Sequence, residues 1–179
     1  MQLVHSFPPT SILAYTDGGT HLTNPGPSGS GIHIPPSSNF PGSDHQIPLG
    51  KGTNNLGELA AIGYAIAYIL SHNPPRGAPI CILTDSFFAY GTLVFYWRSS
   101  TYPKLARTIR NMIDSSKDSN PIAIHWIAGH SGIPGNEAAD ANATAAASAS
   151  DFAPADITRI TNDISSYSIP TPVAPVNDG

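Results

Sequence analysis

The stretch SILAYTDGG, residues 11–19, runs an apolar segment into Thr-Asp and a glycine pair, and PICILTDSF, residues 79–87, repeats the arrangement. ICILT, residues 80–84, is a continuous apolar run of strand length, the kind buried on both faces of a parallel sheet. Residues 11–16 read as a second strand. In an open α/β sheet, strand ends and the adjoining helix starts gather at one edge, where ligands bind, so Asp17 and Asp85 are expected to meet there.

The flanking segments fill in the sheet. THLTNPGPSGSG, residues 20–31, has loop composition, and the alternating GIHI, residues 31–34, completes a hairpin with the first strand. PPSSNFPGSDH, residues 35–45, is rich in turn formers, and a weak third strand is placed near 46–50. From Asn55 the period changes: LGELAAIGYAIAYIL puts Leu59, Ile62, Ile66 and Ile69 at helical spacing, and NPPRGAP ends that helix. After Asp85 come an aromatic helix, FFAYGTLVFYW (87–97), and a helix in YPKLARTIRNMIDSS with Leu105, Ile109 and Met112 as its apolar stripe. IAIHWIAG (122–129) reads as a strand and NEAADANATAAASA (136–149) as a helix. The fold class is α/β: a mixed five-stranded sheet, its first three strands antiparallel and the rest parallel, flanked by helices.

The length fits one domain. Its expected span is 11–150, with an N-terminal extension at 1–10. The C-terminal extension, 151–179, is expected to hold a short helix, with Ile157, Ile160 and Ile164 on one side, and then a disordered proline-rich tail. Charged residues are only 11% of the chain and the net charge is −4 with eight Lys and Arg, so bulk electrostatics attract no polyanion. The single cysteine, Cys81, lies in an apolar run; it forms no internal disulfide and reads as a core residue. No apolar run reaches the roughly 18 residues of a membrane span, and MQLVHSFPPT has no leader pattern. An intracellular monomer without membrane contact is expected.

With twelve acids in the chain, their placement is informative. Glu58 opens the strongest helix and Asp140 lies in the helix after the last strand, so four carboxylates, Asp17, Glu58, Asp85 and Asp140, can converge. Converging carboxylates repel unless a cation sits among them. An all-oxygen set suits Mg²⁺ or Mn²⁺, and two such ions about 4 Å apart support in-line phosphodiester displacement. Each acid also has a local alternative: Asp85 with Ser86 as a helix cap, Asn55 with Glu58 as a capping box, Asp17 as a turn former, Asp140 as an early-turn acid.

YTDGGTHLTNPGPSGSGIHI, GTNNLGELAAI, ILTDS and HWIAGHSGIPGNEAADANA, in that order, resemble the four signature blocks of type 1 ribonuclease H, over about residues 11–150. GHSGIPGNEAAD is most similar to the ribonuclease H domain of non-LTR (LINE-type) retrotransposon polyproteins, and APADITRI is similar to a helix often found after that domain. The resemblance implies a ribonuclease H-like fold. It also implies hydrolysis of the RNA strand of an RNA/DNA hybrid with two Mg²⁺ ions, Mn²⁺ substituting, and a fused or associated reverse transcriptase as partner. By the same resemblance, Asp17, Glu58, Asp85 and Asp140 are the metal ligands. Asp17 bridges both ions, Asp140 serves the water side, and Glu58 and Asp85 the leaving-group side. His130 falls on the mobile-loop histidine of the family, and Gly129, Gly132 and Gly135 fit a loop that must move. Asn24, Thr53, Asn54 and Asn55 match positions that contact phosphate or the minor groove, and Lys51 adds a phosphate contact.

The chain departs from the family in three places. Phe87 stands where bacterial members often have a polar residue near the substrate, so a hydrogen bond there is either missing or replaced by stacking. Gly19 replaces a common serine, and the basic handle of the bacterial enzymes is missing. Arg98, Lys104, Arg107, Arg110 and Lys117 nonetheless concentrate in one region, and the 104, 107, 110 spacing keeps three on one helix side, as a solvated face or a DNA-binding stripe. So few cations predict weak, salt-sensitive hybrid affinity. A catalytically silent scaffold domain is the alternative, opposed by the complete acid set. A sugar-kinase-like ATPase, suggested by DGGT, would need a second domain for which the chain has no room.

Overall fold

The computed structural model describes residues 7–97 and 101–167. Residues 1–6, Arg98 and the proline-rich tail from 168 lie outside the described residues. In chain order the elements are β1 (Ile12–Thr20), β2 (Gly26–Ile34), β3 (Ser43–Gly52), α1 (Asn54–Ser71), β4 (Ile80–Thr84), α2 (Phe87–Val94), α3 (Pro103–Ser116), β5 (Ile122–Trp126), α4 (Pro134–Ala149) and α5 (Ile157–Ser165). The sheet order is β3-β2-β1-β4-β5. β1–β2 and β2–β3 are antiparallel, and β4 and β5 join in parallel. This is the mixed five-stranded sheet expected from the sequence.

Alternation along β1 divides the interior. Ile12 and Ala14 enter the main core with Ile32, Ile80 and Ile82, beneath α1, α2, α3 and α5. Tyr15 points to the other face, where it packs with Leu83, Ile127 and Ala139 of α4, and Asp17 follows Tyr15 by two residues onto that side. α5 is built into the main core: Ile160 and Ile164 are fully buried, and Ile164 meets Ile109 of α3 over Gly63 of α1.

β1, expected over 11–16, continues to Thr20, and β2 and β3 also run longer than their composition predicts, while α2 and β5 stop sooner. β2 begins at Gly26, inside the segment expected to be loop, because its small residues serve packing. Ser28 and Ser30 bury their hydroxyls by donating to the carbonyls of Gly50 (2.6 Å) and Gly57 (2.7 Å). On the opposite face a Cβ at Gly31 would lie 2.2 Å from backbone atoms of Ala139 and Ala143, so α4 rests directly on the strand. β3 likewise spans 43–52 rather than 46–50. α2 stops at Val94 instead of running to 97: the amides of both Phe95 and Trp97 turn back to the Gly91 carbonyl, and the Trp97 ring covers Gly91. β5 ends at Trp126, three residues short of the expected strand.

The tight glycine contacts give a paired test. Gly31→Ala should lower stability by about 3 kcal/mol in urea or thermal melts, because backbone on both sides must move. Gly19→Ala, with no atom within 4 Å of the added methyl, should stay within about 0.5 kcal/mol.

Candidate active site

The approach of β1 to α1 creates the site. A Cβ on Gly18 would fall 2.1 Å from the Glu58 nitrogen, so only glycine lets the first turn of α1 lie against the strand end. That turn is capped by Thr53, whose hydroxyl accepts from the Leu56 N–H (3.2 Å) and bonds the Tyr102 hydroxyl (2.8 Å). Thr53 therefore takes the cap position that the Asn55–Glu58 capping box would have filled, and the Glu58 carboxyl is free for the site. Ser86 caps α2 by accepting from the Ala89 N–H, which likewise leaves the Asp85 carboxylate uncommitted to the helix.

Oxygens of Asp17, Glu58 and Asp85 lie within 4.8 Å of one another. Asp140 joins from α4 through a hydrogen bond with Asp17, and Glu58 bonds Asp17 from the other side. All four predicted carboxylates are thus brought together. Burial, the largest cause, pushes the Asp17 carboxyl up to about 7; the Asp85 charge and the Asp140 bond add to it, against the Glu58 bond and the Gly18 N–H. Burial also holds Glu58 well above the usual carboxylate range, helped by the charge and hydrogen bond of Asp17 and the charge of Asp85. Glu58 Oε2 is buried and has no hydrogen-bond partner. A cluster of oxygens lifted toward protonation, with one acceptor orphaned, is the donor set a hard divalent cation satisfies.

Asn136, in the first turn of α4, was not singled out from the sequence. Its side chain is buried and its Nδ2 makes a long contact, 3.5 Å, to Asp85 Oδ2, while its Oδ1 is unpartnered. An asparagine two residues after Pro134 carried no signal of its own. His130 lies exposed in the turn between β5 and α4 with φ +52. Its neighbour Gly129 packs against the Asp85 carboxylate, where a Cβ would sit 2.7 Å from Oδ2, and Gly132 has φ +78. Gly135, expected in a mobile loop, instead lies in the first turn of α4 under the Tyr15 ring, 2.3 Å from a virtual Cβ. Its absent side chain serves packing.

The expected substrate residues form a rim beside the carboxylates. Asn24 Oδ1 accepts from the Asn54 N–H (3.1 Å), and Thr20 donates to Asn54 Oδ1 (3.1 Å). The Asn55 and Lys51 side chains are exposed. The basic stripe does not form as spaced: Arg110 donates to the Thr92 carbonyl (2.9 Å) and lies 4.7 Å over the Tyr96 ring, leaving Lys104 and Arg107 exposed. On the other side of Asp85, Phe87, Trp97 and Trp126 make a connected, exposed aromatic surface, and the Trp126 indole donates to the Asp85 carbonyl (3.2 Å). His125 packs edge-on to Phe7 with ring centroids 5.0 Å apart.

Residues 9–148 match the RNase H family. The ribonuclease H of Tropheryma whipplei (strain Twist) is 34% identical over 145 residues, covering 76% of this chain and 84% of that protein. The ribonuclease H of Dinoroseobacter shibae is 29% identical over 142 residues, covering 73% of this chain and 87% of its own. Among solved structures, RNase H1 of the halophilic archaeon Halobacterium salinarum NRC-1 superposes with a TM-score of 0.57 at 24% identity, over 76% of this chain and 96% of that one. LC11-RNase H1 in complex with an RNA/DNA hybrid gives 0.60 at 19%, over 76% and 99%. These two likenesses bear on the fold. The chain belongs to the RNase H family, and its enzyme class is ribonuclease H.

The raised carboxyl of Asp17 has a signed consequence for the metal-free protein. Its contribution to stability is present below the unfolded value near 3.8 and is lost as pH rises through about 7. In EDTA at pH 8, Asp17→Asn should therefore raise Tm by at least ~3 °C, the equivalent of about 1 kcal/mol in a chain of this size. At pH 4 the two proteins should melt nearly together. A lower Tm for the variant at pH 8 would contradict the burial of a repelled charge.

Proposed function

We propose that the protein hydrolyses the RNA strand of RNA/DNA hybrids endonucleolytically, with two divalent ions, Mg²⁺ or in its place Mn²⁺, leaving 5′-phosphate and 3′-hydroxyl ends. The observation that carries this reading is the convergence of Asp17, Glu58 and Asp85, with Asp140 bonded to Asp17 and two of the four lifted toward protonation, in a chain of the RNase H family. Asp17, Glu58, Asp85 and Asp140 would hold the ions, with Asp17 central to the set. The bound ions would lower the pKa of the attacking water and stabilise the leaving oxygen. Water oxygen attacks phosphorus, the P–O3′ bond breaks, the departing O3′ takes a proton from solvent to become the 3′-hydroxyl, and the proton released by the attacking water leaves by way of His130, whose turn borders Asp85 through Gly129. The rigid strand and helix ends that carry the carboxylates keep the reacting groups in register.

The chain's own residues suit a hybrid. Asn24 and Asn54 offer neutral amides able to donate to and accept from a 2′-hydroxyl, which distinguishes RNA from DNA. Lys51 provides a phosphate contact. The exposed aromatic surface of Phe87, Trp97 and Trp126 supplies apolar contact area beside the carboxylates where a cationic handle is lacking. The GHSGIPGNEAAD block supports one further element, a retroelement setting in which a fused or associated reverse transcriptase supplies extra affinity; the relatives described above are named simply as ribonuclease H.

The deciding assay incubates labelled RNA/DNA hybrid, duplex RNA and duplex DNA with Mg²⁺, Mn²⁺ or EDTA. Cleavage should be confined to the RNA of the hybrid, abolished by chelator, and reduced by about three orders of magnitude in Asp17→Asn, roughly 4 kcal/mol of transition-state stabilisation. Hybrid binding without cleavage in either metal would sink the catalytic reading and favour a silent scaffold. His130→Ala should lower kcat by about 10²-fold with KM little changed; an unchanged kcat would remove His130 from the proton path.

A further inference from the structure

Residues 150–165 follow the segment that matches the family, yet they hold the strand that leads into the substrate rim. The Ser150 hydroxyl accepts from the Gly50 N–H at 2.7 Å. The Lys51 N–H donates to the Ala153 carbonyl (2.7 Å) and the Ala155 N–H donates to the Lys51 carbonyl (2.9 Å), a parallel bridge centred on Pro154. Both backbone polar groups of Lys51 are thereby spent on this segment. Gly50 has φ +89, and a Cβ there would lie 2.7 Å from the Ala153 oxygen, so the segment is in backbone contact with the turn. From the other side the Ser28 hydroxyl holds the Gly50 carbonyl. Residues 50–52 are clamped between β2 and the C-terminal segment, and they feed directly into Thr53, the cap of α1, and Asn54, the partner of Asn24.

The clamp is anchored at its far end. Asp156 caps α5, and Ile160 and Ile164 are fully buried against α1 and α3. A strap fixed in the core cannot drift from the strand it pairs with. We infer that residues 150–165 are a positioning strap for the substrate rim: they hold Lys51, Thr53 and Asn54 in register and so set the affinity for the hybrid without taking part in the chemical step. This rests on the hydrolytic reading proposed above, since it assigns the rim to the hybrid.

The test uses the full chain, because a chain ending at 149 would lose Ile160 and Ile164 from the core. Ser150→Ala removes the acceptor of the Gly50 amide, and Ala155→Pro removes the donor to the Lys51 carbonyl while keeping α5. Melting curves select whichever single or double variant stays folded. Amide exchange at Gly50 and Lys51 should speed up at least tenfold, the hybrid KM should rise about three- to tenfold, and kcat should change less than twofold. Combined with Lys51→Ala, the strap variant should add little further to KM, because both act through the same contact. Unchanged exchange at 50–51, or a fall in kcat with KM unmoved, overturns the strap. Exchange is measured without substrate, so absence of cleavage by the wild-type chain would count against the hydrolytic reading while the strap is still judged on its own.

Discussion

Everything at the site depends on one close approach of backbone to backbone, Gly18 of β1 against Gly57 and Glu58 of α1. A side chain at Gly18 would overlap the Glu58 nitrogen. A Cβ on Gly57 would in turn reach within 2.7 Å of the Gly29 oxygen, so the contact continues into β2. Because the helix start can touch the strand end, two carboxylates 41 residues apart in the chain share a hydrogen bond. Parallel pairing of β1 with β4 then delivers Asp85, and the small residues of β2 let α4 settle low enough for Asp140 to reach Asp17. The sheet supplies the directions, and glycine supplies the distances.

The electrostatic state of the cluster follows from that geometry. Carboxylates forced together in a poorly hydrated place resist ionisation, and the protein bears that cost in the absence of a cation. The cluster is thus a strained arrangement in the metal-free chain and a relaxed one around positive charge. Such sites are common where function opposes stability, and here the opposition is concentrated on Asp17 and Glu58.

The fold was largely legible from the sequence because the deciding signals were local. Continuous apolar runs marked β1 and β4, and a 3.6 period marked α1. Asp17 and Asp85 stood out because each ends an apolar run, and Glu58 and Asp140 joined them through the resemblance of four ordered blocks to ribonuclease H, since each acid alone also had a local use. What stayed hidden was tertiary. GPSGSG has the composition of a loop and becomes strand only because α4 and α1 need its small residues. Thr53 displaced Asn55 as the cap because its hydroxyl also meets Tyr102, a partner distant in sequence. Asn136 is a site neighbour whose contact to Asp85 crosses 51 residues, which no periodicity reports. The aromatic helix ended early because Trp97 folds onto Gly91, a contact within the chain's own turn that propensity does not weigh.

The commitment of Arg110 to the Thr92 carbonyl and the Tyr96 ring reaches beyond packing. It fixes in place one of only eight cations on a chain whose net charge is −4. A polyanionic hybrid approaching this protein meets no long-range attraction, so encounter is not accelerated by steering and proceeds at the slower, orientation-limited rates of roughly 10⁵–10⁶ M⁻¹s⁻¹ typical of unsteered pairs. Complexes formed that slowly must dissociate slowly to be useful, which places the burden of substrate capture on residence time rather than on arrival.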